Sequence, residues 1–188
     1  PDSVTRIGQH AFFNCKRLTS ITIPDLVTKI DKYVFSYCSS LTSVIIPNSV
    51  KTIEEYVLYQ SGCTSITFEE GSRLTALADH ALYRIANLGN IKFPANLSSW
   101  GKYNLGGCGC QRIEFETNSK LKSLTSYALW NINGVKTIYL PDRLESITGG
   151  TSVIKSCPLL EEVRFPNTLN TVIPANAIND CENLTRII

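Results

Sequence analysis

An apolar position that returns on a nearly constant period constrains this chain more than any other feature. It falls on Val4, Val27, Val50, Leu74, Leu97, Leu121, Leu144 and Leu169, in steps of 23, 23, 24, 23, 24, 23 and 25 residues. A period of this length marks a solenoid, in which each unit is too small to bury its own apolar face and stacks on copies of itself. Other positions keep the register. A second apolar column runs Ile7, Ile30, Ile53, Leu77, Trp100, Leu124, Ile147, Val172. A small–large pair follows, as in Ala11-Phe12, Val34-Phe35 and Ala81-Leu82. A cysteine-type column runs Cys15, Cys38, Ser61, Ile85, Cys108, Ile132, Cys157, Cys181. Each unit closes on an L-x-x-I-x-I block, such as Leu18/Ile21/Ile23 or Leu41/Val44/Ile46.

The end of each block alternates apolar and polar residues and is rich in Thr, Ile and Val, so it reads as a short strand. Pro24 and Pro47 then close it, because proline cannot donate to a ladder. The stretch "IGQHAFFNC" at 7–15 has apolar spacing nearer to helical but is too short for a stable free helix. It is predicted to form one turn of α- or 3₁₀-helix. The expected fold is a right-handed α/β solenoid of about eight stacked coils, with a curved parallel sheet on its concave face. The whole chain, 1–188, reads as one domain, with repeats starting near 1, 24, 47, 71, 94, 118, 141 and 166 and the last cut short. The gaps in the register belong in loops: repeats three and five lose one residue and put Cys63 and Cys110 where leucine belongs, repeat seven gains two residues at "TGGTSVIK" and repeat eight gains one at "IPANA". Repeat five also replaces the small–large pair by Asn104-Leu105.

The L-x-x-I-x-I block matches the leucine-rich repeat pattern. The longer unit "PDSVTRIGQHAFFNCKRLTSITIP" at 1–24 resembles the BspA-like leucine-rich repeats, as do the junctions "FEEGSRLT" at 68–75 and "FETNSKLK" at 115–122. The resemblance spans the chain. It implies a surface or secreted protein of the adhesin type, binding host matrix proteins or other cells, and it brings no catalytic residues.

Composition narrows the functional classes. The chain is 43% hydrophobic and 18% charged, with a net charge of +2. Its Lys and Arg are scattered, so nucleic acid is not an expected partner. No apolar run approaches the roughly 18–20 residues that span a bilayer. The chain starts and stops inside repeats, so it reads as a piece of a longer protein. Bare strand edges at its ends predict neighbouring sequence or end-to-end association of copies.

Candidate chemistry is sparse. The cysteines, seven in number, read as two columns of reduced core thiols, since free Cys behaves as a small hydrophobe. "CGC" at 108–110 lacks the further ligands that zinc requires, so no metal or cofactor is expected. His10 and His80 share a register position with Tyr33, Tyr56, Tyr103 and Tyr127, which predicts a ladder of flat side chains along one edge. Packing is the first explanation of that ladder, and stacking on sugar rings the second. No nucleophile and acid converge on either histidine, so an enzyme is not expected. Ice binding through the aligned Thr rows fails after three repeats. "NLS" at 96–98 and "NLT" at 183–185 are glycosylation sequons.

The outward strand face is the most informative surface. Between the buried positions of successive strands sit Thr22, Ile45, Thr67, Lys92, Glu114, Tyr139, Arg164 and Ile188. The N-terminal half is mostly hydroxyls, and the C-terminal half is charged around Tyr139. Solenoids bind partners on such faces, and Tyr and Arg are enriched at interface hot spots. Lys92, Arg112, Glu114, Tyr139 and Arg164 are the expected ligand-binding residues, for a protein or glycoprotein. The alternative is a structural spacer or self-assembling repeat without a specific ligand.

Overall fold

The computed structural model describes residues 2–148, 152–169 and 173–188. Val172 and the centre of the "TGGTSVIK" insertion lie outside them. The molecule is a parallel-strand solenoid of about seven turns. Seven of the eight L-x-x-I-x-I blocks supply a strand of the main sheet: β2 (Ser43–Ile46), β4 (Ser65–Phe68), β6 (Ile91–Phe93), β8 (Arg112–Phe115), β11 (Thr137–Tyr139), β14 (Glu162–Arg164) and β16 (Arg186–Ile187). The strand expected at Leu18/Ile21/Ile23 of the first coil is not formed. β2 pairs with β4, and β6 to β16 form a run of five in coil order. Equivalent residues face each other, as in Lys92↔Glu114 and Tyr139↔Arg164. Alternation then sends Val44 and Ile46 into the core and Ser43 and Ile45 out to solvent.

The second apolar column builds a second line of two-residue strands. These are β1 (Lys29–Ile30), β3 (Thr52–Ile53), β5 (Ala76–Leu77) and β7 (Ser99–Trp100), then β9 (Ser123–Leu124) with β12 (Ser146–Ile147). A third line appears only toward the C-terminus: β10 (Leu129–Trp130), β13 (Ile154–Lys155) and β15 (Ile178–Asn179).

The helical turn predicted for 7–15 is corrected: the described residues contain no helix, so the solenoid is mostly strand rather than α/β. The hydrogen bonds give the reason. His10, Phe12 and Asn14 donate their amides to Lys32 O, Val34 O and Ser36 O of the next coil at 3.1, 3.1 and 2.8 Å. Ala11, Phe13 and Cys15 instead donate three residues back, to Gly8 O, His10 O and Phe12 O. Alternate amides thus belong to different coils, whereas a helix keeps every amide within its own segment. The alternation requires a left-handed backbone at His10 (φ 61°) and Asn14 (φ 59°), and the same two positions recur at Tyr33 and Tyr37, Tyr56 and Gln60, and His80 and Arg84.

The irregular repeats have local explanations. In the shortened repeats three and five the backbone runs close against the preceding coil at Gly62 and Gly109, as it also does at Gly134 of the full-length sixth repeat. A Cβ on Gly62 or Gly109 would lie 2.1 Å from a carbonyl oxygen, Ser39 O or Ala86 O. Asn104 keeps its interior position although it is polar. It is fully buried, its Nδ2 donates to Ala78 O and Gly101 O at 3.0 Å each, and its Oδ1 accepts from the Leu82 amide at 3.4 Å. At the two glutamate junctions, Glu69 and Glu116 accept the amides of Asn48 and Ala95 in the preceding coil.

The core is a set of axial columns. Val27, Val50, Leu74, Leu97, Leu121 and Leu144 are fully buried. In the first coil Val4 of this column is only partly covered, as are Phe12, Leu18 and Ile21 of the neighbouring columns, while Ile7 and Ile23 are buried.

Candidate functional site

Two surfaces carry side chains able to meet a ligand. The first is the outward face of the main sheet. Parallel pairing puts Tyr139 between β8 and β14, and an arginine from each neighbouring strand reaches its ring. Arg112 and Arg164 lie 4.9 and 5.0 Å from the ring centroid, within cation–π range. Arg112 also pairs with Glu114, and Arg164 with Glu162. Glu162, held by Arg164 and by Arg186 at 3.0 Å, keeps its carboxyl below the usual carboxylate range, chiefly through the Arg164 hydrogen bond. Lys92, Glu114 and Tyr139 line one open depression of about 430 Å³ with Phe115, Glu116 and Thr117. Tyr139 and Arg164 line another of about 410 Å³ on the other side of the ring. The structure therefore joins Lys92, Arg112, Glu114, Tyr139 and Arg164 into one patch centred on Tyr139. Further toward the N-terminus the face carries Thr22, Ile45 and Thr67, with Ile45 57% exposed.

The second surface is the edge formed by the left-handed turns. His10, Tyr33, Tyr56, His80, Tyr103 and Tyr127 stack in one column, with centroid spacings of 4.9, 5.1, 4.8, 4.8 and 5.0 Å and interplanar angles of 18° or less. The ladder read from the repeat register is present. A second ring column beside it was not singled out from the sequence. Phe13, Tyr59, Tyr83 and Trp130 stand at 71–86° to rings of the first column. The signal for it was the residue just after each small–large pair. Burial lowers the His80 pKa below its ordinary value and raises that of Tyr103, so both are neutral near pH 7.

The cysteines are seven free thiols. The expected interior columns hold at Cys38, Cys63, Cys108, Cys110 and Cys157 and fail at the ends, where Cys15 is exposed and Cys181 half-buried, because each terminal coil is covered on one side only. Cys108 Sγ donates to Leu82 O, and burial pushes the Cys63 and Cys110 thiols up to about 11 and about 12. Among the described residues, no group of three or more His, Cys, Asp or Glu is placed to hold a metal ion. Both sequon asparagines already donate to the preceding coil, Asn96 to Ser72 O at 2.7 Å and Asn183 to Pro158 O at 2.5 Å. No helix of the described residues is long and apolar enough to cross a membrane.

The model of the BspA type leucine rich repeat region matches in six copies, over residues 1–108 and 71–185. The chain belongs to that family. Three solved structures are similar to this BspA-type chain. A leucine rich cell surface protein from Faecalibacterium prausnitzii A2-165 is 20% identical, with a TM-score of 0.59, over 98% of this chain and 69% of its own. A leucine-rich repeat protein from Bacteroides ovatus ATCC 8483 is 24% identical, with a TM-score of 0.49, over 96% of this chain and 57% of its own. The pneumococcal vaccine antigen PcpA is 14% identical, with a TM-score of 0.41, over 86% of this chain and 60% of its own. The first supports the solenoid fold of the BspA-type chain. No curated protein matches the sequence.

Proposed function

We propose that this chain is a non-catalytic recognition module of a cell-surface or secreted protein. In this reading it binds a protein or glycoprotein, such as a component of the host extracellular matrix, through the outward face of the main sheet. One observation carries the reading: Tyr139 stands between Arg112 and Arg164, with an open depression on either side. A Tyr flanked by arginines combines apolar area with charge and costs little side-chain entropy to order, the combination found at interface hot spots. Lys92 and Glu114 place both signs of charge beside it, which selects a partner by complementarity. Membership of the BspA-type family supports the surface setting.

The test is binding of the chain to a panel of immobilised matrix proteins, beside a Tyr139→Ala/Arg164→Ala variant. The expected result is saturable binding to at least one protein, weakened about a hundredfold or more in the variant. Binding that survives the double substitution would move the site off this face. No binding to any member, with the fold intact by circular dichroism, would favour a spacer without a specific ligand.

A further inference from the structure

The aromatic edge is interrupted in its second column. Its second column runs Phe13, Ser36, Tyr59, Tyr83, Gly106, Trp130, Lys155. Ser36 and Gly106 carry no ring within this run; beside Ser36, Tyr37 of the same coil meets Phe13 and Tyr59 edge-on at 5.5 and 5.2 Å. A Cβ at Gly106 would lie 2.9 Å from the Tyr83 ring and 3.1 Å from Trp130 O, so the position is closed to a side chain. Trp130 contacts Tyr103 of the preceding coil edge to face, with centroids 5.6 Å apart. Beside it lies an open depression of about 540 Å³, lined by His80, Tyr83, Tyr103, Tyr127, Trp130 and Lys155. That volume lies within the roughly 300–1,000 Å³ of ordinary small-ligand sites.

We propose that this depression is a carbohydrate-binding site, distinct from the Tyr139 face, that takes a pyranose unit of a neutral glycan. The lining decides the ligand class. The first-column rings cover each other's faces, so their edges meet the second column at right angles. The second-column rings turn one face to those edges and the other away. The Arg84 guanidinium, 5.3 Å from the Tyr83 ring centroid, lies over such a face and marks it as reachable. A pyranose has an apolar C–H face to lay on a flat ring and equatorial hydroxyls at its rim. Tyrosine and tryptophan suit this pairing, being apolar across the ring and polar at the tip. The titratable groups of the lining answer the hydroxyls: phenols and a neutral imidazole both donate and accept hydrogen bonds. Lys155 is the one cation of the lining, and Asp180 stands 3.5 Å from its ammonium, so the site offers little net charge to an ionic ligand.

A neutral pyranose chain could come from plant or microbial polysaccharide or from a host glycoprotein. Affinity electrophoresis separates these sources, with the 188-residue chain run through gels containing xylan, hydroxyethyl cellulose or desialylated mucin. Retardation by at least one is expected, and which gel retards names the source. The decisive variant is Trp130→Lys, because β10 pairs Trp130 with Lys155, so lysine already occupies this register position one coil on. It should weaken binding about tenfold or more while leaving the unfolding midpoint nearly unchanged. Arg164→Glu on the sheet face should leave glycan binding as it was. The proposal is overturned if none of the gels retards the chain, if the folded Trp130→Lys variant binds like the parent, or if Arg164→Glu abolishes retardation.

Discussion

The outward sheet face and the aromatic edge are built by the same stacking, and they use it differently. On the edge, like sits on like: six rings follow one another at 4.8–5.1 Å, each on a left-handed residue. On the sheet face the column changes character from coil to coil, through Thr22, Ile45, Thr67, Lys92, Glu114, Tyr139 and Arg164. A column of like residues holds coils together, because each ring contacts its copies above and below. A column of unlike residues contributes less to the stack and leaves more chemistry facing solvent. Between Tyr83 and Trp130 the second ring column is broken, and the depression beside that break is the proposed glycan site.

The largest expected difference follows from this. Tyr56→Ser removes a ring stacked on both Tyr33 and His80 and should cost about 2–3 kcal/mol of unfolding free energy. Tyr139→Ser loses exposed cation–π contacts and should cost about 1 kcal/mol or less. Denaturant titration of both variants makes the comparison. Equal costs would mean that the Tyr139 cluster is a packing device like the ladder.

A smaller effect should change sign between the regions. Gln60 is an exposed edge residue with φ 50°, where an L side chain is disfavoured. Gln60→Gly is expected to stabilise by about 0.5–1 kcal/mol. Thr67→Gly, in the extended strand β4, is expected to destabilise by a similar amount, about 0.5–1 kcal/mol. Thermal unfolding that moves both variants the same way would contradict the different backbone demands of the two faces.

The smallest effect separates the regions by pH. Burial keeps His80 neutral in the folded state below its ordinary value of 6.5. Just below that pH the unfolded chain takes up a proton that the folded chain refuses, so the edge loses stability as pH falls from 6.5 toward the lower folded value. Glu162 is depressed from 4.5, mainly by its Arg164 hydrogen bond. Its stabilisation is present above 4.5 and is lost as pH falls through its folded value. His80→Tyr, which copies Tyr56 and Tyr103, should remove the first loss and keep the second; Glu162→Gln should do the reverse. Unfolding curves taken from pH 7 to 3 distinguish them.

The repeat, the core columns and the His/Tyr ladder were legible because a solenoid brings together residues at the same repeat position. Register in the sequence then becomes contact in space, as at Tyr33 and Tyr56. The same logic placed Tyr139 beside Arg164. It did not reveal that Arg112 reaches the ring from the other side, since that depends on how a long side chain turns two positions along its strand.

By itself, the sequence determined the stacked-coil architecture, seven of the strands of the main sheet and most of the residues that face the core, because period and alternation carry that information directly; the second and third lines of short strands were not read from it. Only the tertiary structure decided the rest. The stretch at 7–15 has helical spacing, but each second amide finds its acceptor in the neighbouring coil, and two left-handed residues per turn make that possible. The exposure of Cys15, the burial of Asn104 with three hydrogen bonds and the depression between Tyr83 and Trp130 likewise depend on what the adjacent coil presents. None of them is a property of one repeat read alone.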